Sequence, residues 1–193
     1  MQDDWQEAWG PVMRAVGTVG SDLGARAVAG IDRIEPGTLR RYLEPLEFDC
    51  ALHHDEQVAK AHGHGGVTAP YTAALSFAMP AMWQPGDATL FPEDSRDAQP
   101  ARSAVKPVYP DYFPSFSGYF ATDIDIDFVR PALVGDRLTR RGARLVSCEP
   151  KETRIGRGAF IKIESEVVTE TGEVITRMRT GMYLYQSHQE QPA

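Results

Sequence analysis

The stretch FDCALHHDE, residues 48–56, gathers Asp49, Cys50, His53, His54 and Asp55 into seven consecutive positions. Histidine titrates near neutral pH, and a carboxylate beside it can orient it or share its proton. Such a cluster can hold a water and move its proton. The same residue types also suit two other readings: a metal site, or the polar lead into a short helix. Against a metal, the spacing of Cys50, His53, His54, His62 and His64 fits no zinc pattern, and glycines flank His64 on both sides. Neither a metal nor any other cofactor is expected. DIDID (123–127) looks like the start of a calcium loop, but its sixth position is Phe128 where glycine is required. RIGRG (154–158) lacks the lysine and the following helix of a phosphate loop.

The cluster needs elements to hold it. HDEQVAKAHGHGG predicts a short helix that starts at the cluster and closes at Gly63, Gly65 and Gly66. Upstream, Trp5, Ala8, Trp9, Val12, Met13 and Val16 recur at helical spacing. A short strand is expected near 26–32. A second helix is expected from Pro36, since proline suits a first helical turn. Downstream, APYTAALSFAMPAMW (69–83) is apolar on every side. It predicts a long helix, largely buried over 69–79, which Pro80 kinks or ends. Residues 84–118 hold six prolines and the aromatics Phe91, Tyr109, Tyr112, Phe113 and Phe116. They read as an irregular excursion kept ordered because its aromatic rings need burial.

After 118 the pattern changes to strands, expected near 119–131, 137–149, 157–170 and 173–186, with turns at GRG (156–158) and ETG (170–172). Ile124, Ile126 and Phe128 alternate with Asp123, Asp125 and Asp127, which puts the aspartates on a solvated face. Arg137, Arg140, Arg141, Arg144, Lys151, Arg154 and Arg157 make a basic region that reads first as a solvated strand face and hairpin. Helices segregated from consecutive hairpins imply an α+β fold. The expected architecture is one domain over 1–193, an antiparallel sheet wrapped round a long central helix: a single hotdog.

Composition narrows the partners. The chain has 193 residues, 42% hydrophobic and 24% charged, with a formal net charge of −7. That balance argues against nucleic acid, which needs a basic surface. No apolar run approaches the roughly 20 residues of a membrane helix, so no membrane partner is expected. Two cysteines without a CxxC, and a start at MQDDWQEAWG that does not read as a leader, point to the cytoplasm.

Two blocks carry a resemblance. LHHDEQVAKAHGHGGVTAP (52–70) resembles the stretch of MaoC-like hydratase/dehydratase domains that reads Asn-Pro-Leu-His-x-Asp-Glu, a short helix, Gly-x-Gly-Gly and Ala-Pro. DFVRPALVGDRLTRRGARLVSCEPKETRIGRGAFIKIESEV (127–167) is similar to the same family's second signature, with Arg-Pro and Gly-Asp at a strand boundary and Lys-x-Thr-Arg-x-Gly-x-Gly before the next strand. More narrowly, KETRIGRGAF resembles the MaoC-like subunits of heteromeric enoyl-CoA hydratases of steroid side-chain breakdown. The resemblance implies a hotdog fold, an acyl-CoA thioester substrate and reversible addition of water to a 2-enoyl group. It also implies a homodimer or a heteromer with a second hotdog chain, the site lying near the interface. His53 falls on the family's base. Backbone N–H groups near Gly66, Tyr71 and Thr72 are the implied oxyanion donors. For such a substrate the basic region has a second reading, a mouth that attracts the coenzyme A phosphates, with Arg154 and Arg157, beside glycines, as the expected contacts.

The sequence departs from the pattern in one place. In the ungapped register Cys50 and Ala51 replace the family's Asn-Pro, and Phe48 replaces its catalytic aspartate, with Asp49 one position off. A second register pairs Asp49 with His54 but needs an indel before GHGG. In the preferred register His53 is kept, its partner is lost, and Phe48 is expected to point toward the pocket. This leaves Asp49 as a substitute acid, or the chain as a non-catalytic partner that binds the acyl group. A thioesterase and a ligand-binding protein without turnover are the remaining alternatives.

Overall fold

The computed structural model describes residues 4–17, 27–101 and 109–188. Among these residues five strands form one antiparallel sheet in the order β1-β3-β4-β5-β2. They are β1 (Val28–Ala29), β2 (Gly118–Phe128), β3 (Leu138–Thr153), β4 (Gly156–Thr169) and β5 (Val174–Ser187). The four long ones fall within a few residues of the expected spans, because strict alternation between turn residues fixes a strand. The expected strand near 26–32 shrinks to two residues against β3. The helices are α1 (Gly10–Ala15), α2 (Pro36–Leu43), α3 (Glu56–Ala61) and α4 (Ala74–Phe77).

The inner face of the sheet is covered in two parts. At one end α2 and α4 lay Leu39, Leu43, Ala74 and Ala78 on Leu138, Val167 and Ile175. At the other, Trp9 and Val12 of the N-terminal helical segment join Phe113 over Leu145, Ile161 and Leu184. The excursion is therefore split. Tyr109, Tyr112, Phe113 and Phe116 pack on the second cluster, as their apolar rings require. Residues 84–101 instead lie mostly at the surface, with Phe91 56% exposed. Residues 102–108 of the expected excursion lie outside the described residues.

The central helix is shorter than the sequence predicts and is not buried all round. Pro70 opens a tight turn, Tyr71–Ala73, which passes into α4, and the helix ends at Phe77 with Ala78 as its C-cap, two residues before Pro80. A proline ring bars helical geometry in the residue before it, so the run cannot continue to 83. Ala73, Ala74 and Ala78 face the sheet, whereas Tyr71, Thr72 and Ser76 are exposed. The apolar residues on the outer side have a neighbour of their own kind: the Tyr71 and Phe128 rings stand 5.1 Å apart. Along β2 the apolar row itself is open, with Ile124 57%, Ile126 38% and Phe128 44% exposed.

Candidate functional site

The opening cluster divides by role once folded. Asp55 is the N-cap of α3, its Oδ1 accepting from the N–H groups of Gln57 at 2.7 Å and Val58 at 3.1 Å. A cap of this kind is worth about 1 kcal/mol to a helix. His54 serves the loop: its Nε2 donates to the Phe48 carbonyl at 3.0 Å. Asp49 is exposed and makes no hydrogen bond or ion pair among the described residues. The structure brings no Asp49–His54 pair together.

His53 is different. It ends a single tight turn, Ala51–His53, and its Nδ1 lies 2.7 Å from the Thr68 carbonyl oxygen. A carbonyl can only accept, so Nδ1 donates, and in the neutral ring Nε2 is then the nitrogen with the lone pair. The Thr68 hydroxyl, 3.0 Å from the same nitrogen, donates to the Leu52 carbonyl at 3.2 Å. The Thr68 backbone N–H bonds that carbonyl as well, at 3.0 Å. Thr68 is 2% exposed and well held. Segment 67–69 runs antiparallel to 132–134, with Val134 N–H on the Val67 carbonyl and Ala69 N–H on that of Ala132.

The second sequence block supplies this brace. Asp136 Oδ2 accepts from the Leu133 N–H at 2.9 Å, and Gly135 turns with a φ of +96°, a conformation that favours glycine. The Gly135 N–H and the Asp136 carbonyl then bond Ile34 ahead of α2. The Gly-Asp motif thus fixes the strip that fixes His53.

A cleft of about 680 Å³ opens here, lined by α2 at Pro36 and Arg40, by His53 and His54, by Gly65, Gly66 and Val67, and by Leu133 and Val134. Of the expected site residues it gathers His53 and Gly66. Tyr71 and Thr72 open the helical turn on its exposed side, the Tyr71 ring beside that of Phe128. Arg154 and Arg157 belong to the β3–β4 hairpin and are absent from the cleft lining. Arg157 pairs with Glu152 at 3.1 Å. The glycines of that hairpin have a packing reason. A Cβ on Gly156 or Gly158 would run into the β5 backbone at Gln186 or Leu184. Phe48 does not line the cleft; it lies 45% exposed, its ring 5.3 Å from that of His53.

Sequence reasoning missed Thr68. Its signal is weak but present: one polar residue within the apolar run Val67-Thr68-Ala69-Pro70, where a buried hydroxyl must find partners. No described helix is long and apolar enough to cross a membrane.

Comparison with solved structures gives the same fold. The chain is similar to the ChsH1–ChsH2 complex from Mycobacterium tuberculosis at 18% identity and a TM-score of 0.63, covering 95% of this chain and 96% of that one. It is similar to a MaoC-like dehydratase from Rhodospirillum rubrum at 18% identity and 0.55, covering 92% and 100%. It is also similar to the HadBC (3R)-hydroxyacyl-ACP dehydratase complex of M. tuberculosis at 14% identity and 0.50, covering 84% and 98%. No curated protein matches the sequence. The model of the FAS1-like dehydratase domain region matches residues 21–178, a span that holds the His53 turn, its Thr68 anchor and four of the five strands entire. The chain therefore belongs to the FAS1-like dehydratase-region family and carries the MaoC-like hotdog fold.

Proposed function

We propose that this chain acts in the hydration and dehydration of a 2-enoyl-CoA thioester, as one of two paired hotdog chains. The observation that carries the reading is the state of His53. Its Nδ1 proton is committed to Thr68, leaving Nε2 as the base in a cleft whose wall includes the Gly66 turn. In hydration Nε2 takes a proton from water, the oxygen adds to the β-carbon, and the electron pair moves to the thioester oxygen. The imidazolium then returns a proton to the α-carbon. Backbone N–H groups at Gly66, Tyr71 and Thr72 are the proposed donors to the transient enolate oxygen. Arg154 and Arg157 remain the proposed contacts for the phosphate-bearing end of coenzyme A, away from the reacting carbons.

One observation favours the second reading, a partner chain that binds the acyl group without turning it over. Phe48, not a carboxylate, faces the imidazole. Losing a positioned acid–base partner commonly costs ~10²–10⁴-fold in rate. The test is an assay on short, long and ring-bearing enoyl-CoAs with wild type, His53→Ala and Phe48→Asp. The hydratase reading predicts measurable turnover that His53→Ala removes and Phe48→Asp raises. Acyl-CoA binding with no turnover in any of the three selects the partner reading. Turnover that survives His53→Ala overturns the assignment of the base, and its loss in a further variant, His54→Ala, would move the base there.

A further inference from the structure

The outer face of the sheet carries charge in rows that alternate in sign from strand to strand. In one row Arg141 of β3 stands opposite Glu166 of β4, Glu166 opposite Arg177 of β5, and Arg177 opposite Asp127 of β2. In the next row the sequence is Arg144, Glu164, Arg179, Asp125. The glutamates inside these rows have a cation on each side. Glu164 holds Arg144 at 2.7 Å and Arg179 at 2.9 Å, and Glu166 holds Arg141 at 3.3 Å and Arg177 at 3.0 Å. The aspartates end the rows at the open edge and have a cation on one side alone. Asp127 meets Arg179 at 3.0 Å, and Lys162 is shared between Asp123 at 2.8 Å and Asp125 at 3.5 Å. Their exposure shows the difference: 62% and 55% for the Asp125 and Asp127 side chains, against 18% and 27% for Glu164 and Glu166.

We infer that β2 is built to pair with a different hotdog chain, one whose edge strand presents lysine or arginine opposite Asp125 and Asp127, rather than with a second copy of itself. The inference rests on the reading of this chain as one of two paired hotdogs. β2 ends the sheet, so its outer backbone edge pairs with no strand among the described residues, and its inner row of Ile124, Ile126 and Phe128 is exposed. Both features suit strand addition. A two-fold antiparallel pairing of β2 with its own copy, in the same sheet plane, sets outer residues opposite outer residues. Centred anywhere from 123 to 127, it puts at least one aspartate opposite an aspartate, and centred on Asp125 it does so for all three. Like charges directly opposite destabilise a pair and opposite charges stabilise it. A basic strand would instead continue both rows with the sign they lack.

The test uses sedimentation equilibrium on wild type, on Asp125→Lys/Asp127→Lys and on their mixture. The mixture should form a one-to-one dimer at least about tenfold tighter than wild type with itself. Added salt should weaken the mixed dimer and strengthen wild-type self-association. Should the lysine variant fail to fold, judged by circular dichroism, Asp125→Asn/Asp127→Asn carries the test and should tighten self-association several-fold. Wild type that pairs with itself as tightly as the mixture, or an asparagine variant with unchanged self-association, overturns the inference while leaving the two-hotdog reading standing. If no combination pairs at all, the two-hotdog reading falls with it.

Discussion

β4 and β2 are both long strands of alternating residues, GAFIKIESEV against YFATDIDIDF. β4 lies inside the sheet, and Ala159, Ile161 and Val167 are at most 2% exposed beneath the two helical caps. β2 lies at the edge, and its matching row of Ile124, Ile126 and Phe128 is 38% to 57% exposed. Alternation decides that a segment is a strand and which residues share a face. Whether that face is covered depends on sheet position, which no local pattern encodes. The same contrast holds on the outer face, where the β4 glutamates are neutralised from two sides and the β2 aspartates from one. On both faces β2 is thus less covered than β4.

The largest effect expected is in stability. Ile161→Ala, deep in the second cluster, should cost ~2–4 kcal/mol in denaturant unfolding. Ile124→Ala in dilute, unpaired chain should cost less than ~0.5 kcal/mol, as surface changes do. Equal costs would mean that β2 is already covered within the chain, and the comparison would fail. Association should show the reverse order: Ile124→Lys should weaken pairing with the lysine-strand variant by about tenfold or more while leaving the melt of the dilute chain unchanged.

A smaller effect concerns Gly181. It lies between Lys162 and Asp123 in the strand register, and a Cβ there would meet the Asp123 carboxylate and the Thr122 hydroxyl. The Lys162 ammonium, then the Thr122 hydroxyl, hold the Asp123 carboxyl below its ordinary value. Its contribution is present above the unfolded value and is lost as pH falls through the lower, folded one. Gly181→Ala should push the Asp123 carboxyl aside and let its titration, followed by NMR, move back up. An unmoved titration would show that the lysine reaches Asp123 by another route.

The two sides should also differ in their response to alkali. Burial pushes the Cys148 thiol, packed against the second cluster, up to about 11. Alkylation of Cys148 should therefore stay slow at pH 8 and accelerate only as pH approaches 11. The stability tied to its neutral form is full below pH 9, near the unfolded value, and is lost as pH rises through about 11. Rapid labelling at pH 8 would show that this end of the sheet is open.

The legible part of the molecule was its local part. The strands followed from alternation between glycine turns, whereas His53 was singled out by a resemblance, and the structure sets it in the cleft ahead of α3. The length of α4 did not follow, because Tyr71 and its neighbours look like core in a sequence, although they lie on the exposed side of the turn. Thr68 was hidden because its carbonyl acts on His53 across fifteen residues of chain, through a strip that the Gly-Asp motif holds from farther still. The arginines of β3 were readable as a strand face. Their pairing with Glu164 and Glu166 was not, since it needs the strand order and the register.

The most direct test is enoyl-CoA hydration by wild type, by the Asp125→Lys/Asp127→Lys variant and by their mixture, each with and without His53→Ala in both chains. The account predicts that turnover rises with the mixed one-to-one species and falls at least ~10²-fold when His53 is removed. Turnover indifferent both to pairing and to His53→Ala would contradict it.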